Sequence, residues 1–525
     1  MKDYMITCPY CFAKFSHTAV HFRMETQFDE SELNDEGMTE NEVERMPNIA
    51  KKAELTNQIK MRKPFLRRDD GKYTKWWSNY GSTSEKSLGL DKKWRGGVHQ
   101  LPILDPNSEE DQKVLKKFER MDFIELEDKD TLKDDYLIYD EDGMASAVED
   151  IFGHRTMRRV CPKCHNPLPK QYGKNPVKFI SVIGVTGAGK TVYISQLLKY
   201  ISKYAAFLNQ AAFFTSDHET SFIEDNKVEM DTALPNPTGE GTFSQPMFYD
   251  FVTRKSDSAE TNTVVIYDIA GEDCQDAARM TKYADFINYS DGIILLIDPM
   301  QLGWIGTRVP GAIKEPQAVL NTIYTATTKS VKELSEKPVA VCISKSDSFE
   351  QIIPAGQKDI ICVRDEAMGT NIPVFNATDY NILEQQLRES MPLELEQALH
   401  NQYKYYNYFA ISAIGGPVRE EPARTESGEE VRTEEGTVKM NSYPIAPPVP
   451  RRIAEPLFWL FYRLGIIKSD VPIRLPEPRK IPEYIEIPAK GVMAKLGFGK
   501  PTYRTLTDEE KMSYWYEPGC EARRF

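Results

Sequence analysis

A chain of 525 residues with a formal net charge of −13 is long enough to bury a full core in two or three units, and its acidity excludes a general nucleic-acid coat. Neither an export signal nor a membrane span is expected, because the opening MKDYMITCPYC has no apolar centre and no run approaches about eighteen uninterrupted apolar residues. The expected setting is cytoplasmic. In that reducing setting the eight cysteines divide into two CxxC pairs, which suggest metal, and four singles at Cys274, Cys342, Cys362 and Cys520, which suggest ordinary small apolar residues.

The pairs are Cys8-Pro9-Tyr10-Cys11 and Cys161-Pro162-Lys163-Cys164, and together they supply the four thiolates of a tetrahedral Zn²⁺ site. A compact ribbon separates its knuckles by roughly 15 to 20 residues. Here about 150 intervene, so the chain from about 22 to 150 is expected to be an insertion that leaves and returns. Two unrelated pairs, or redox-active thiols, are the alternatives. His154 and His165 flank the second knuckle and are expected beside the metal rather than on it. Within the insertion, Met24 to Glu44 carries nine acidic residues and no basic one, while Lys51 to Lys75 carries nine basic against three acidic and runs into Trp76-Trp77. Basic residues interleaved with Phe65, Tyr73, Trp76 and Trp77 can stack and neutralise a single-stranded nucleic acid, or can pair with the acidic block as a solvated face.

The stretch KFISVIGVTGAGKT, Lys178 to Thr191, feeds an apolar strand into Gly184-x4-Gly189-Lys190-Thr191, the phosphate-loop pattern. Glycines such as Gly184, Gly187 and Gly189 let successive N–H groups face a phosphate, and the helix beginning near Lys190 adds its positive end. Lys190 is expected at the β- and γ-phosphates and the Thr191 hydroxyl on Mg²⁺. Gln210 to Ser216 reads as an extra strand. The loop LPNPTGEGTF, Leu234 to Phe243, then offers Thr238 or Thr242 to close on Mg²⁺ and the γ-phosphate, with Thr238 preferred.

Strand Thr263 to Ile269 runs into Asp268-Ile269-Ala270-Gly271-Glu272, where Asp268 can hold Mg²⁺ through water and the Gly271 N–H can reach the γ-phosphate. Gly292 to Asp298 is apolar throughout, as expected of a strand covered on both faces. Helix is expected over Glu315 to Leu334, strand over Pro338 to Ile343 leading into Ser344-Lys345-Ser346-Asp347, then a helix capped by Thr378 or Asp379 and a second with Pro392 in its first turn. Tyr405 to Ile411 is a strand running into Ser412-Ala413-Ile414. This alternation predicts an α/β doubly wound sheet with its ligand at the strand C-termini. The charged run Val418 to Lys439 is expected as a mobile loop, Ile453 to Leu464 as a closing amphipathic helix, and the proline-rich residues after Ser469 as an extended tail.

Taken together, GVTGAGKT, the switch-loop threonine, DIAG, SKSD and SAI resemble the signature set of TRAFAC-class GTPases. With two CPxC knuckles ahead, the chain is similar to the zinc-ribbon-bearing double-GTPase group of bacterial multi-protein, conflict-type systems. The resemblance covers about Lys178 to Leu464 plus the two knuckles and implies a P-loop GTPase-like domain, expected over 177–466, and an N-terminal zinc-ribbon-like unit, expected over 1–176; the long insertion in that unit and the tail expected over 467–525 lie outside it. It implies GTP/GDP, Mg²⁺ and Zn²⁺ as cofactors and proteins as partners. By the same resemblance Lys345 packs on the base, Asp347 accepts from guanine N1 and N2 hydrogens, and Ser412 and Ala413 border the base, the Ala413 backbone meeting O6. Two positions depart from the pattern. Ser344 stands where asparagine is usual, and Glu272 stands where a water-positioning glutamine is common, so a nucleotide-binding scaffold with little hydrolysis, or a P-loop ATPase, are the alternatives to a GTP-hydrolysing switch.

Overall fold

The computed structural model describes residues 4–22, 34, 36–62, 71–79, 137–149, 155–184, 187–207, 210–215, 217–235, 243, 245–254, 259–269, 271, 273, 277–283, 285–303, 316–326, 336–349, 362–365, 370–373, 377–425, 428–432, 438–466, 484–487 and 502–505. Its N-terminal unit begins with a short hairpin, β1 (Met5–Thr7) and β2 (Lys14–Ser16), whose connection carries the first CPxC knuckle. Strand β3 (His21–Phe22) is where the insertion departs. The insertion contains helices α1 (Glu40–Glu44), α2 (Ile49–Arg62) and α3 (Gly71–Ser78), then strands β4 (Leu137–Tyr139), β5 (Ala145–Glu149) and β6 (Arg155–Thr156). It returns at β7 (Arg159–Val160), which pairs antiparallel with β3, His21 opposite Val160. That pairing sets the second knuckle beside the first despite their separation in sequence.

The aromatic residues of the basic stretch have a structural use. Tyr73 and Trp77 are buried at 4% and 3% exposure, and Trp77 Nε1 donates to Asn166 Oδ1 at 2.8 Å beside the second knuckle. These two rings are therefore committed to the protein's own core and are not offered to a nucleic acid. Phe65 lies outside the described residues.

The larger unit is built on β8 (Val177–Gly184), followed by α4 (Lys190–Phe207), β9 (Gln210–Phe214), α5 (Asp217–Asp225), β10 (Met247–Arg254) and β11 (Ala259–Asp268). Then come α6 (Ala277–Tyr283), α7 (Phe286–Tyr289), β12 (Gly292–Ile297), α8 (Pro316–Ala326) and β13 (Val339–Ile343). A hairpin, β14 (Cys362–Asp365) with β15 (Thr370–Pro373), precedes α9 (Ala377–Ser390), α10 (Leu393–Gln402) and β16 (Tyr406–Ala410). Seven strands form one sheet in the order β16-β13-β12-β8-β11-β10-β9, parallel from β16 to β11, with β10 antiparallel to both of its neighbours.

Period-two alternation assigns each strand residue to a face. Phe179, Ile183, Val265 and Tyr267 join a core shared with the N-terminal unit and with Phe286, Val319 and Leu395. Ile180, Val182, Val264 and Ile266 join a second core with Tyr193, Ile194, Trp459 and Leu460. The sheet is thus covered on both faces, and its central strands β12 and β13 are accordingly apolar and buried along their whole length.

Three expectations are corrected. The run 418–439 is not a loose loop: β17 (Val418–Pro422) pairs antiparallel with β18 (Met440–Pro444), and Arg424 with Glu430 and Arg432 with Val438 form isolated bridges above them. Its charge density suits a hairpin with open faces, and within it Gly428 takes φ +86° with its N–H bonded to the Thr425 carbonyl at 2.9 Å. The closing helix, α11 (Glu455–Arg463), packs its aromatic residues in the core as expected, and the five consecutive residues from Leu457 to Phe461 are buried, more than one helix face. Helix α9 starts before Thr378 and Asp379, which fall in its first turn rather than at its cap, while Pro392 is the residue before α10 rather than within it. In the tail, β19 (Tyr484–Ile487) pairs with β20 (Thr502–Thr505), so part of it is a hairpin.

Candidate nucleotide and metal sites

Strand β8 sits where the topology divides: β9 to β11 lie to one side of it, and β12, β13 and β16 to the other. The loop leaving its C-terminal end therefore opens into the crevice where such sheets bind ligands. Its glycines have different reasons. A Cβ on Gly184 would lie 2.5 Å from the Leu296 carbonyl oxygen, so the neighbouring strand β12 excludes any side chain there. Gly187 and Gly189 adopt φ +83° and +82°, the left-handed region that glycine enters without strain. Val185 and Thr186 lie outside the described residues. Gly184→Ala is expected to cost about 2 kcal/mol through forced strand separation; denaturant unfolding with an unchanged midpoint would rule out that close approach.

Helix α4 begins at Lys190, with the Tyr193 N–H bonded to the Gly189 carbonyl at 2.8 Å. The Lys190 ammonium is buried and donates to the Gly184 carbonyl at 2.9 Å, folded back across the loop it is expected to serve. Thr191 Oγ1 donates to Asp268 Oδ2 at 3.1 Å across the mouth of β8 and β11. A hydroxyl beside a buried carboxylate is a hard-oxygen set that fits Mg²⁺. Thr191 and Gly271 line one cavity. Glu272, Gln275, Thr238 and Thr242 lie outside the described residues.

At the other end, β13 delivers Ser344-Lys345-Ser346-Asp347 and β16 delivers Ser412-Ala413. Lys345 takes φ +54°, and its ammonium pairs with Asp298 Oδ2 at 2.6 Å, at the end of β12. Asp347 accepts a hydrogen bond from the Ser412 hydroxyl, which in turn accepts from the Gly415 N–H at 2.8 Å. These contacts fix the carboxylate's direction. The Ser344 hydroxyl donates to the Ile297 carbonyl at 3.2 Å and so ties β13 to β12.

One cavity of about 590 Å³ joins the two ends. Its wall includes Gly187, Gly189, Lys190 and Thr191 on one side and Lys345, Asp347, Ser412 and Ala413 on the other. That volume suits a ligand of nucleotide size. Gly184 and Asp268 do not line the cavity but hold Lys190 and Thr191, which do. Sequence reasoning missed two parts of the wall, Leu234 with Pro235 and the β17–β18 residues Val418, Glu420, Met440 and Ser442, and it missed Asp298 as the partner of Lys345. The alternating V-x-E-x-P of 418–422 was the available signal.

The four knuckle cysteines converge, all Sγ atoms within 4.8 Å of one another. Cys8 Sγ lies 3.6 Å from Cys164 Sγ, and Cys11 Sγ 3.7 Å from Cys161 Sγ. A tetrahedral Zn–S₄ centre with bonds of about 2.3 Å has edges of about 3.8 Å, so the cluster fits Zn²⁺ and is far from disulfide contact. Each knuckle ends in the same turn. Phe12 and His165, each directly after the second cysteine, adopt φ +54° and +55°. Amide N–H groups of Tyr10 and Lys163 point at Cys8 and Cys161 Sγ, both at 3.4 Å. Burial pushes the Cys8 and Cys164 thiols up, while hydrogen bonds from the other three thiols, Cys161 foremost, hold Cys11 well down. Such a divided set is what a dication unifies, since it binds all four as thiolates. His165 stays outside it, its Nε2 3.0 Å from His21 Nδ1, and His154 lies outside the described residues.

Residues 178–391 match the model of one family, Double-GTPase 2. The Double-GTPase 2 match runs from the strand before the phosphate loop through Asp347 and ends before Ser412; both knuckles lie outside it. No curated protein matches the chain. Among solved structures, the chain is similar to the G domain of the T. maritima FeoB iron transporter, at 12% identity and TM-score 0.16, over 33% of this chain and 76% of that one. It is also similar to the translation elongation factor SelB from Methanococcus maripaludis, solved with the GTP analogue GPPNHP, at 10% identity and TM-score 0.19, over 46% of this chain but 30% of that one. At those scores neither likeness adds to the family match. No helix among the described residues is long and apolar enough to cross a membrane.

Proposed function

We propose that the protein is a GTP-binding and GTP-hydrolysing switch that acts through a protein partner. The observation that carries this reading is the single cavity in which the phosphate loop and the Asp347–Ser412 pair face each other. Lys190 and the loop N–H groups hold the phosphates; Thr191, Asp268 and Thr238 hold Mg²⁺, which neutralises phosphate charge; Gly271 reports the γ-phosphate; Lys345, Asp347, Ser412 and Ala413 select the base. GDP and ADP titrated side by side test it, and equal binding would sink the guanine assignment. A cytoplasmic, multi-component bacterial system is the setting that the family resemblance favours.

The N-terminal unit supports a switch because it grips both segments expected to move. Phe243, one residue past Thr242, is enclosed by Trp76 at 4.9 Å, Trp77 at 6.1 Å, Phe286 at 6.2 Å and Tyr10 of the first knuckle at 6.4 Å between ring centroids. Tyr267, next to Asp268, donates its hydroxyl to the Pro9 carbonyl at 2.6 Å. Ordering of either segment by the triphosphate is therefore felt at the Cys₄ unit.

Glu272 decides between a switch and a scaffold. If its carboxylate orients the attacking water, Glu272→Ala lowers turnover by about a hundredfold or more with GTP affinity retained. Single-turnover hydrolysis that is unchanged or faster would transfer that role to another group, Gln275 or an arginine from a partner.

A further inference from the structure

The β17–β18 hairpin stands directly on the base-side loop, and its position is fixed by backbone contacts on both flanks. Ile414 to Pro417 connects Ser412-Ala413 to Val418, with the Val449 N–H bonded to the Ile414 carbonyl at 2.8 Å. A Cβ on Gly415 would lie 1.9 Å from the Val449 carbonyl oxygen, so the loop and the returning chain are in full contact. On the far flank the Leu234 N–H donates to the Ser442 carbonyl at 2.8 Å and the Asp231 N–H to the Pro444 carbonyl at 3.1 Å. Arg419 pairs with Asp231 and stacks on Tyr443, its guanidinium 5.3 Å from the ring centroid. The hairpin is thereby locked to the segment that enters the 236–242 loop.

Register sorts the side chains. Val418 opposes Pro444, Glu420 opposes Ser442 and Pro422 opposes Met440, so these share one face, while Arg419, Glu421, Asn441 and Tyr443 share the other. Val418, Glu420, Met440 and Ser442 all line the 590 Å³ cavity. Glu420 and Asp347 are the carboxylates in that wall. No hydrogen bond or ion pair among the described residues engages the Glu420 side chain, whereas Glu421 on the opposite face accepts from Arg419 at 2.9 Å.

We propose that this hairpin is the ribose-side wall of the nucleotide site and that Glu420 accepts hydrogen bonds from the ribose 2′- and 3′-hydroxyls. The inference rests on the GTP reading above. With phosphates at Gly187 to Thr191 and base at Lys345 and Asp347, the sugar spans the middle of the cavity, and a vicinal diol presents the donors that a carboxylate accepts. The hairpin also couples the sugar to the 231–235 segment, so nucleotide occupancy and the entry to the 236–242 loop share one scaffold.

The test titrates the full chain with GDP and with 2′,3′-dideoxy-GDP, for wild type, Glu420→Ala and Glu421→Ala. Wild type is expected to bind the dideoxy nucleotide about tenfold more weakly, the loss of a charge-assisted hydrogen bond. Glu420→Ala should bind GDP about tenfold more weakly and no longer distinguish the two, whereas Glu421→Ala should behave as wild type. Equal wild-type affinity for both nucleotides, or full GDP affinity in Glu420→Ala, would overturn the ribose contact while leaving the GTP reading intact. An equal loss in Glu421→Ala would overturn it too, by tracing the effect to hairpin integrity. Failure of wild type to bind GDP at all would overturn both readings.

Discussion

Asp347→Asn is expected to lose GDP affinity by about a thousandfold, near 4 kcal/mol, and to gain xanthine nucleotide in return. The carboxylate has two hydrogens to accept from guanine, at N1 and N2. Its direction is already set, because the Ser412 hydroxyl donates to it and is itself held by the Gly415 N–H at 2.8 Å. Little reorganisation remains to be done when the base arrives, so the full value of the two charge-assisted bonds is realised. Adenine offers no donor at N1 or at position 2 and would set an acceptor against the carboxylate, so wild type should discriminate against ADP by a similar factor. The asparagine amide reverses one polarity and can donate to the xanthine 2-oxo group. Titrations with GDP, ADP and xanthosine diphosphate on both proteins check this. An asparagine variant that keeps GDP affinity would remove Asp347 from base selection.

How much of this was legible in the sequence depended on how local the cause is. The phosphate loop, Asp268 and SKSD were legible because each is a short pattern on an apolar strand end, and the strand alternation that positions them is also local. The two cysteine pairs were legible as a set that could share a metal, but their meeting is settled by two residues of β3 pairing with two of β7, a contact across the insertion that no periodicity announces. The aromatic residues of α3 were misread for the same reason: whether Trp77 faces a ligand or the core depends on Asn166, far along the chain. The β17–β18 hairpin was hidden by its composition. Glutamates and arginines that look like a solvated loop are tolerated in a two-stranded ribbon, where register and cross-strand pairs, rather than apolar burial, hold the geometry. Lys345 was read from its motif alone, and its ion pair with Asp298 follows only from the adjacency of β12 and β13.

Removing the metal should have the largest effect on stability and a small one on nucleotide binding. The protein is expected to carry about one Zn²⁺ per chain, which elemental analysis after chelator-free purification measures; absence of metal would end the shared site. Cys161→Ser should lose it and destabilise the N-terminal unit by about 3 kcal/mol or more, because Cys8 and Cys164 are buried and three leftover thiols cannot all ionise without the dication. The phosphate loop and the Asp347–Ser412 pair stand on β8, β13 and β16, which β12 joins into one parallel run that does not involve the knuckles, so GDP affinity should stay within about fivefold of wild type. Phe243 and Tyr267 do depend on the unit. With Tyr10 and the Pro9 carbonyl displaced, the C-terminal anchor of the 236–243 segment is lost, and GTP-dependent protection of its amides from hydrogen exchange should vanish while that of the phosphate loop persists. Protection retained at both segments in metal-free protein would show that the Cys₄ unit supports the fold without taking part in the switch.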